Sequence, residues 1–133
     1  MCFFRMLGVV VQSLLSYAAR RTFNTPTITI APDVHMPLVG IGTWQYNDSV
    51  TELALLSALK MGYEHIDTAL GYENAAGVAA ALEKSGRKRE SYFITSKIPG
   101  GLNESAATAA IDSNVAALKL DYVDLMMYAS TNP

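Results

Sequence analysis

The sequence predicts an α/β fold, with four βα units laid on a parallel sheet and a small β-hairpin in front of them. Two observations carry this. After Pro26, short apolar runs alternate with longer stretches of helical periodicity, and glycines or turn residues close most helical stretches before the next run begins. The chain has 133 residues, 50% of them hydrophobic and 17% charged, which allows one domain with a real core and no more.

Thr27 to Ile30 and His35 to Val39 flank a turn at Pro32-Asp33 and read as the hairpin. The latter runs into the first sheet strand, Leu38 to Thr43. Ser49 followed by Glu52 reads as a capping box opening the first helix; Leu53, Leu56 and Leu59 recur on one face, and Gly62 ends it. Glu64 to Ala69 is the second strand, and a helix from Ala75 to Lys84 stops at Gly86. Tyr92 to Ile98 is the third strand. Pro99-Gly100-Gly101 breaks the pattern, and Glu104 to Leu118 forms an Ala-rich helix with Ile111, Val115 and Leu118 on one face. Tyr122 to Tyr128 is the fourth strand. Parallel strands with helical crossovers begin either a doubly wound sheet or a barrel, and periodicity does not choose between them.

Charge and composition narrow the partners. A net charge of -2 without a basic run gives no electrostatic reason to expect nucleic acid, so a small molecule is the expected partner. Cys2 is the single cysteine, and no Cys/His cluster has zinc-ligand spacing, so no metal is expected. Residues 1–25 stand apart from 26–133. Met6 to Ala19 is an apolar run flanked by Arg5 and by Arg20 and Arg21, with no acidic residue before Asp33. It is shorter than the roughly 20 residues of a spanning helix, so the expectation is a signal peptide or organelle presequence and no stable membrane span. The other reading is an unrelated extension, with the protein cytoplasmic. The sequons at Asn47 and Asn103 read as chance.

The chemistry sits at strand ends. GIGTW at Gly40 to Trp44 lacks the third glycine of a dinucleotide-binding turn, which argues against the doubly wound sheet. No P-loop and no HExxH are present. Asp67 closes HIDTA, Lys97 closes FITSK, and Tyr72 lies in the loop after Asp67. In an α/β barrel that end of the strands carries the active site. Each residue also has a plain structural role open to it: Asp67 bonding loop amides, Tyr72 packing a loop, Lys97 reaching solvent.

Taken together and in order, these residues resemble the aldo-keto reductase family. MPLVGIGTW at Met36 to Trp44 is similar to its first strand, and GYEHIDTALGYENAAGVAAAL at Gly62 to Leu82 to its second strand, catalytic loop and helix. FITSKI at Phe93 to Ile98 and LDYVDLMM at Leu120 to Met127 resemble its third and fourth strands. The resemblance implies a partial (β/α)8 TIM barrel. It also implies an enzyme that reduces aldehydes or ketones by hydride transfer from NADPH, preferred over NADH. Tyr72 would be the proton donor to the carbonyl oxygen, with Lys97 and Asp67 beside it, while Thr43 and Asp67 line the cofactor and Trp44 the substrate. A free tyrosine ionises near pH ~10, so proton transfer near neutrality benefits from a nearby cation, which Lys97 supplies and Asp67 makes tolerable to bury. Trp44 has a second reading as a core anchor.

The chain departs from the family pattern at three points. Ala75 replaces the usual acidic residue after the asparagine, and Ala129 stands where the family carries a carbonyl-orienting histidine. A full barrel needs about 250 residues, and the residues that grip the cofactor phosphate in the family have no counterparts here. A second expectation is a noncatalytic half-barrel that acts as an interaction module, binding a full-length reductase or pairing as a homodimer through strand edges near Leu38 and Tyr122, and a third is a truncated product with no stable function.

Overall fold

The computed structural model describes residues 25–129. The expected targeting run, Cys2 and the residues after Ala129 therefore lie outside the described residues. The hairpin pairs β1 (Thr27–Ala31) with β2 (Val34–Pro37) antiparallel, and Asp33 takes a left-handed φ of 59° in its turn. The remaining strands are β3 (Ile41–Gly42), β4 (His65–Asp67), β5 (Phe93–Pro99) and β6 (Leu125–Ala129), all parallel and neighbouring in chain order. Helices α1 (Asp48–Met61), α2 (Ala75–Ser85) and α3 (Glu104–Ala117) form the crossovers. This is the hairpin and opening stretch of a TIM barrel, as the sequence predicts. Among the described residues no helix is long and apolar enough to cross a membrane.

Strand alternation sorts the side chains onto two faces. Ile66 and Ile94 pair in register and pack with Leu55, Leu59, Val78 and Leu118 into the core between sheet and helices. The alternate positions, Gly42, Asp67, Thr95, Lys97, Leu125 and Met127, therefore share the opposite face, which in a closed barrel is the interior.

Several elements differ from the sequence expectation, each for a local reason. The first sheet strand is Ile41–Gly42 rather than Leu38 to Thr43, because Gln45 turns the chain away at φ 64° while Leu38 and Val39 stay exposed. The capping box at Ser49 and Glu52 does not form. Asn47 caps α1, its side-chain oxygen accepting from Val50 N and from the Ser49 hydroxyl, both at 2.9 Å, while Glu52 pairs with Lys84. The buried face of α1 is Thr51, Leu55, Ala58 and Leu59, and Leu53 is exposed. On α3 the most buried residues are Ala107 and Asn114, with Ile111 and Val115 half-buried. Asn114 sits inside because it accepts from the Ser96 hydroxyl and donates to the Lys97 carbonyl, bonds that periodicity cannot foresee. Gly62 and Gly86 end their helices with left-handed φ, as read from the sequence.

Two fastenings hold the frame. At the N-terminal end of β5 and β6, the Arg89 guanidinium lies 3.9 Å from the centre of the Tyr122 ring and 5.1 Å from that of Tyr92, and pairs with Asp124 at 2.5 Å. Between α1 and α2, Gly77 N–H donates to the Asp48 carboxylate at 2.8 Å. A Cβ on Gly77 would stand 2.3 Å from the Asp48 carbonyl oxygen, which is backbone and cannot swing aside.

Two outcomes are expected. Gly77→Ala gains about 1 kcal/mol of helix propensity but forces the helices apart, and overpacking costs about 1–3 kcal/mol, so urea unfolding should show net destabilisation. Burial pushes the Tyr92 phenol above its ordinary value of 10.0, with Arg89 opposing. The folded state thus keeps that proton when the unfolded chain has lost it. The stability this contributes is complete below about pH 10 and is lost as pH rises through the raised value. Thermal melts should show the alkaline loss, and Tyr92→Phe should reduce it.

Candidate active site

The site forms where β4 and β5 end. Asp67 is the last residue of β4, and past it Thr68 N–H still reaches the Thr95 carbonyl at 2.9 Å. The chain then makes a 3₁₀ turn, Leu70–Tyr72, closed by Glu73 at φ 55°. That turn brings Tyr72 back over the strand ends. Lys97 comes from β5 on the same face as Asp67. Its ammonium donates to Asp67 Oδ1 at 2.6 Å, to the Thr68 carbonyl at 3.0 Å and to the Tyr72 phenol oxygen at 3.2 Å.

Three donors meet three acceptors, so the lysine is fully used. Because an ammonium can only donate, the Tyr72 oxygen must accept in this bond, which leaves its own proton to be given to something else. The Lys97 side chain is 17% exposed and that of Asp67 37%, so the pair sits at a rim, half shielded from water.

The other expected positions differ in character. Thr43 is buried, its hydroxyl directed at Thr68 Oγ1 (3.1 Å) and at the Asp67 carbonyl (3.4 Å), so its side chain supports the strand ends rather than lining an open surface. Trp44 is 65% exposed on the turn after β3, outside the core that the described residues form. Ala129 ends β6 opposite Pro99 and, by alternation with Met127, on the face of Lys97. A longer side chain there would extend over the same strand ends.

Two residues close to the site carry more than the sequence suggested. Asn74 is fully buried and donates to the Thr43 carbonyl at 2.7 Å and the Tyr46 carbonyl at 2.9 Å. His65 bonds the Pro37 carbonyl through Nδ1 and the Thr95 hydroxyl through Nε2, both at 2.9 Å, and so ties the hairpin to the inner face of the sheet. Both its nitrogens are occupied by the frame. Asn74 could be suspected from its place just before α2, but as a helix cap. Among the described residues no group of three or more His, Cys, Asp or Glu could hold a metal.

The sequence pattern described as the Aldo/keto reductase family matches residues 38–133. The chain belongs to the aldo/keto reductase family. It is 38% identical over 104 residues to glycerol 2-dehydrogenase (NADP(+)) of Saccharomyces cerevisiae, covering 78% of this chain and 33% of the yeast protein. It is likewise 38% identical over 103 residues to methylglyoxal reductase DkgA of Escherichia coli, covering 77% and 37%. Among solved structures, the aldo/keto reductase of Brucella melitensis superposes with a TM-score of 0.77 at 35% identity, over 83% of this chain and 42% of that one. The chain thus spans about a third of the length of these curated relatives.

The ion pair should be visible in stability. Asp67→Ala leaves the Lys97 ammonium with two neutral acceptors at a partly shielded position. Breaking a buried pair costs about 3–5 kcal/mol, and the exposure here scales that down to about 1–2. Adding Lys97→Met to Asp67→Ala should recover part of the loss in urea unfolding. A double variant whose loss equals the sum of the two single losses would show that the charges are not coupled.

Proposed function

We propose that this chain carries the proton-donating part of a carbonyl reductase site that uses NADPH, with aldehydes or ketones as substrates. The observation that carries the reading is the bond direction at Lys97, which leaves the Tyr72 proton free while holding a cation 3.2 Å from the oxygen it would leave. The names of the relatives, among them glycerol 2-dehydrogenase (NADP(+)) and methylglyoxal reductase, support the reaction class and the choice of NADP.

The residues present fit the nicotinamide end of the cofactor. Asp67 spends one oxygen on Lys97, leaving the other to accept from a ribose hydroxyl. Gly42, its neighbour in register, has open space where a Cβ would stand, which leaves room for a flat ring. When bound, NADPH supplies the hydride. Tyr72 gives its proton to the carbonyl oxygen as charge develops there, and Lys97 stabilises the negative charge left on the phenol oxygen. Asp67 holds Lys97 in place for that task. Thr43 braces the strand ends, and Trp44 supplies an apolar wall on the substrate side.

A second reading is favoured by Ala129, which puts a methyl group where a hydrogen-bond donor would orient the carbonyl. In this reading the chain is a noncatalytic half-barrel that pairs with a second copy. Among the described residues β3 and β6 are the sheet edges, each with unpaired backbone groups. Sedimentation equilibrium would then give a folded dimer, and a cooperative monomer would remove it.

The deciding measurement is NADPH oxidation with a panel of aldehydes. The expected result is turnover slower than an ordinary rate of about 1 per second, because Ala129 donates nothing, and a further loss of about 100-fold or more in Tyr72→Phe with an unchanged melting temperature. Turnover that survives Tyr72→Phe would remove Tyr72 as donor. No turnover at all would leave the half-barrel reading.

A further inference from the structure

We propose that Asn74 is a positioning residue that holds the Trp44 turn to the Tyr72 turn and thereby sets the substrate wall of the cleft; the substrate part of this rests on the carbonyl-reductase reading above. Its side-chain nitrogen carries two protons, and both are used on the two ends of one turn, the carbonyls of Thr43 and Tyr46. That turn is otherwise closed by a single backbone bond, Tyr46 N–H to the Thr43 carbonyl at 3.2 Å. At its middle stands Gln45 with φ 64°, a conformation a non-glycine residue keeps only when its surroundings over-determine it. Trp44 itself is largely exposed, so core packing does not fix its place. Its position therefore depends on the backbone of the turn, and the backbone depends on Asn74.

The arrangement displaces an ordinary role. Asn74 stands at the N-cap of α2, where asparagine usually accepts from the first-turn amides, yet its side chain makes no such bond. Asp48 does this instead, from the first turn of α1, by accepting from Gly77 N–H. The two segments are thus cross-tied: the loop and helix after β3 give α2 its cap, and the residue before α2 grips the loop after β3. Since Tyr72 and Glu73 immediately precede Asn74, movement of the Trp44 turn and of the Tyr72 turn is joined at this side chain. The bond pattern also settles which end of the amide is which, because two carbonyl oxygens can be met only by the NH2 group.

Trp44 is the one tryptophan of the chain, so its emission reports on this turn alone. Time-resolved anisotropy of Trp44 is measured in the full chain, in Asn74→Ala and in Asn74→Asp, which keeps the shape but replaces the donor group by an oxygen. Leu55→Ala, in the core away from the turn, is the control for general destabilisation. The expected result is that the fast, local component of the Trp44 decay grows about twofold or more in both Asn74 variants, with helical circular dichroism retained, and stays unchanged in Leu55→Ala. In the aldehyde assay the same variants should raise KM by about tenfold while kcat moves by less than about threefold. Unchanged Trp44 anisotropy in folded Asn74 variants overturns the proposal, and so does loss of the fold in both, which would make Asn74 a purely structural residue. Absence of turnover in the unsubstituted chain removes the carbonyl-reductase reading and the KM arm with it, while the anisotropy still decides whether Asn74 holds the turn.

Discussion

The Lys97 ammonium has three protons to place and no lone pair, and it sits half shielded near the C-terminal end of β5. Its needs explain much of what surrounds it. One acceptor must carry charge, because an unpaired cation at such a site is costly, and Asp67 stands on the neighbouring strand at the right level. A second is the Thr68 carbonyl, which points at the lysine because the chain leaves β4 there. The third is the Tyr72 oxygen, delivered by the 3₁₀ turn. The demand for acceptors therefore fixes the direction of the bond at Tyr72, whose oxygen accepts and whose proton is left for another partner.

Behind this cluster lies a frame in which polar side chains do work usually left to the backbone. Asn114 binds the end of β5 from α3, His65 joins the hairpin to the inner face, Asp48 caps a helix that is not its own, and Asn74 holds the turn after β3. Asn114 and Asn74 are buried and His65 is half-buried, while Asp48 works from the exposed start of α1; of the two asparagines, Asn114 bonds through both ends of its amide and Asn74 through its nitrogen alone. Such networks are rigid when satisfied, because any displacement strands a polar group away from water. That rigidity keeps the hydrogen-bond directions around Lys97 fixed.

Much of the fold was legible in the sequence because it depends on short-range signals. Alternating apolar runs and helical stretches, glycines at helix ends and the turn at Pro32-Asp33 each act within a few residues. Less legible were the features in which a local signal had competitors. Ser49 and Glu52 have the spacing of a capping box, yet Asn47 caps the helix and Glu52 is drawn to Lys84 on another helix. Leu53 has the periodicity of a core residue but faces outward, because the packing partner of α1 is the sheet together with α2, and their combined direction is not written in α1.

By itself the sequence determined the class of fold, the order of its βα units, and that Asp67 ends its strand with Tyr72 in the loop beyond, since strand periodicity and turn residues are properties of neighbouring positions; Lys97, read as closing its strand, lies two residues inside β5. Only the tertiary structure decided what those side chains do to one another. Whether the lysine reaches the phenol, which partner accepts and which donates, and that Thr43 is buried while Trp44 is open all depend on the register between strands far apart in the chain. Register is set by packing the whole sheet against its helices, and a shift of one residue would turn every side chain of a strand to the other face.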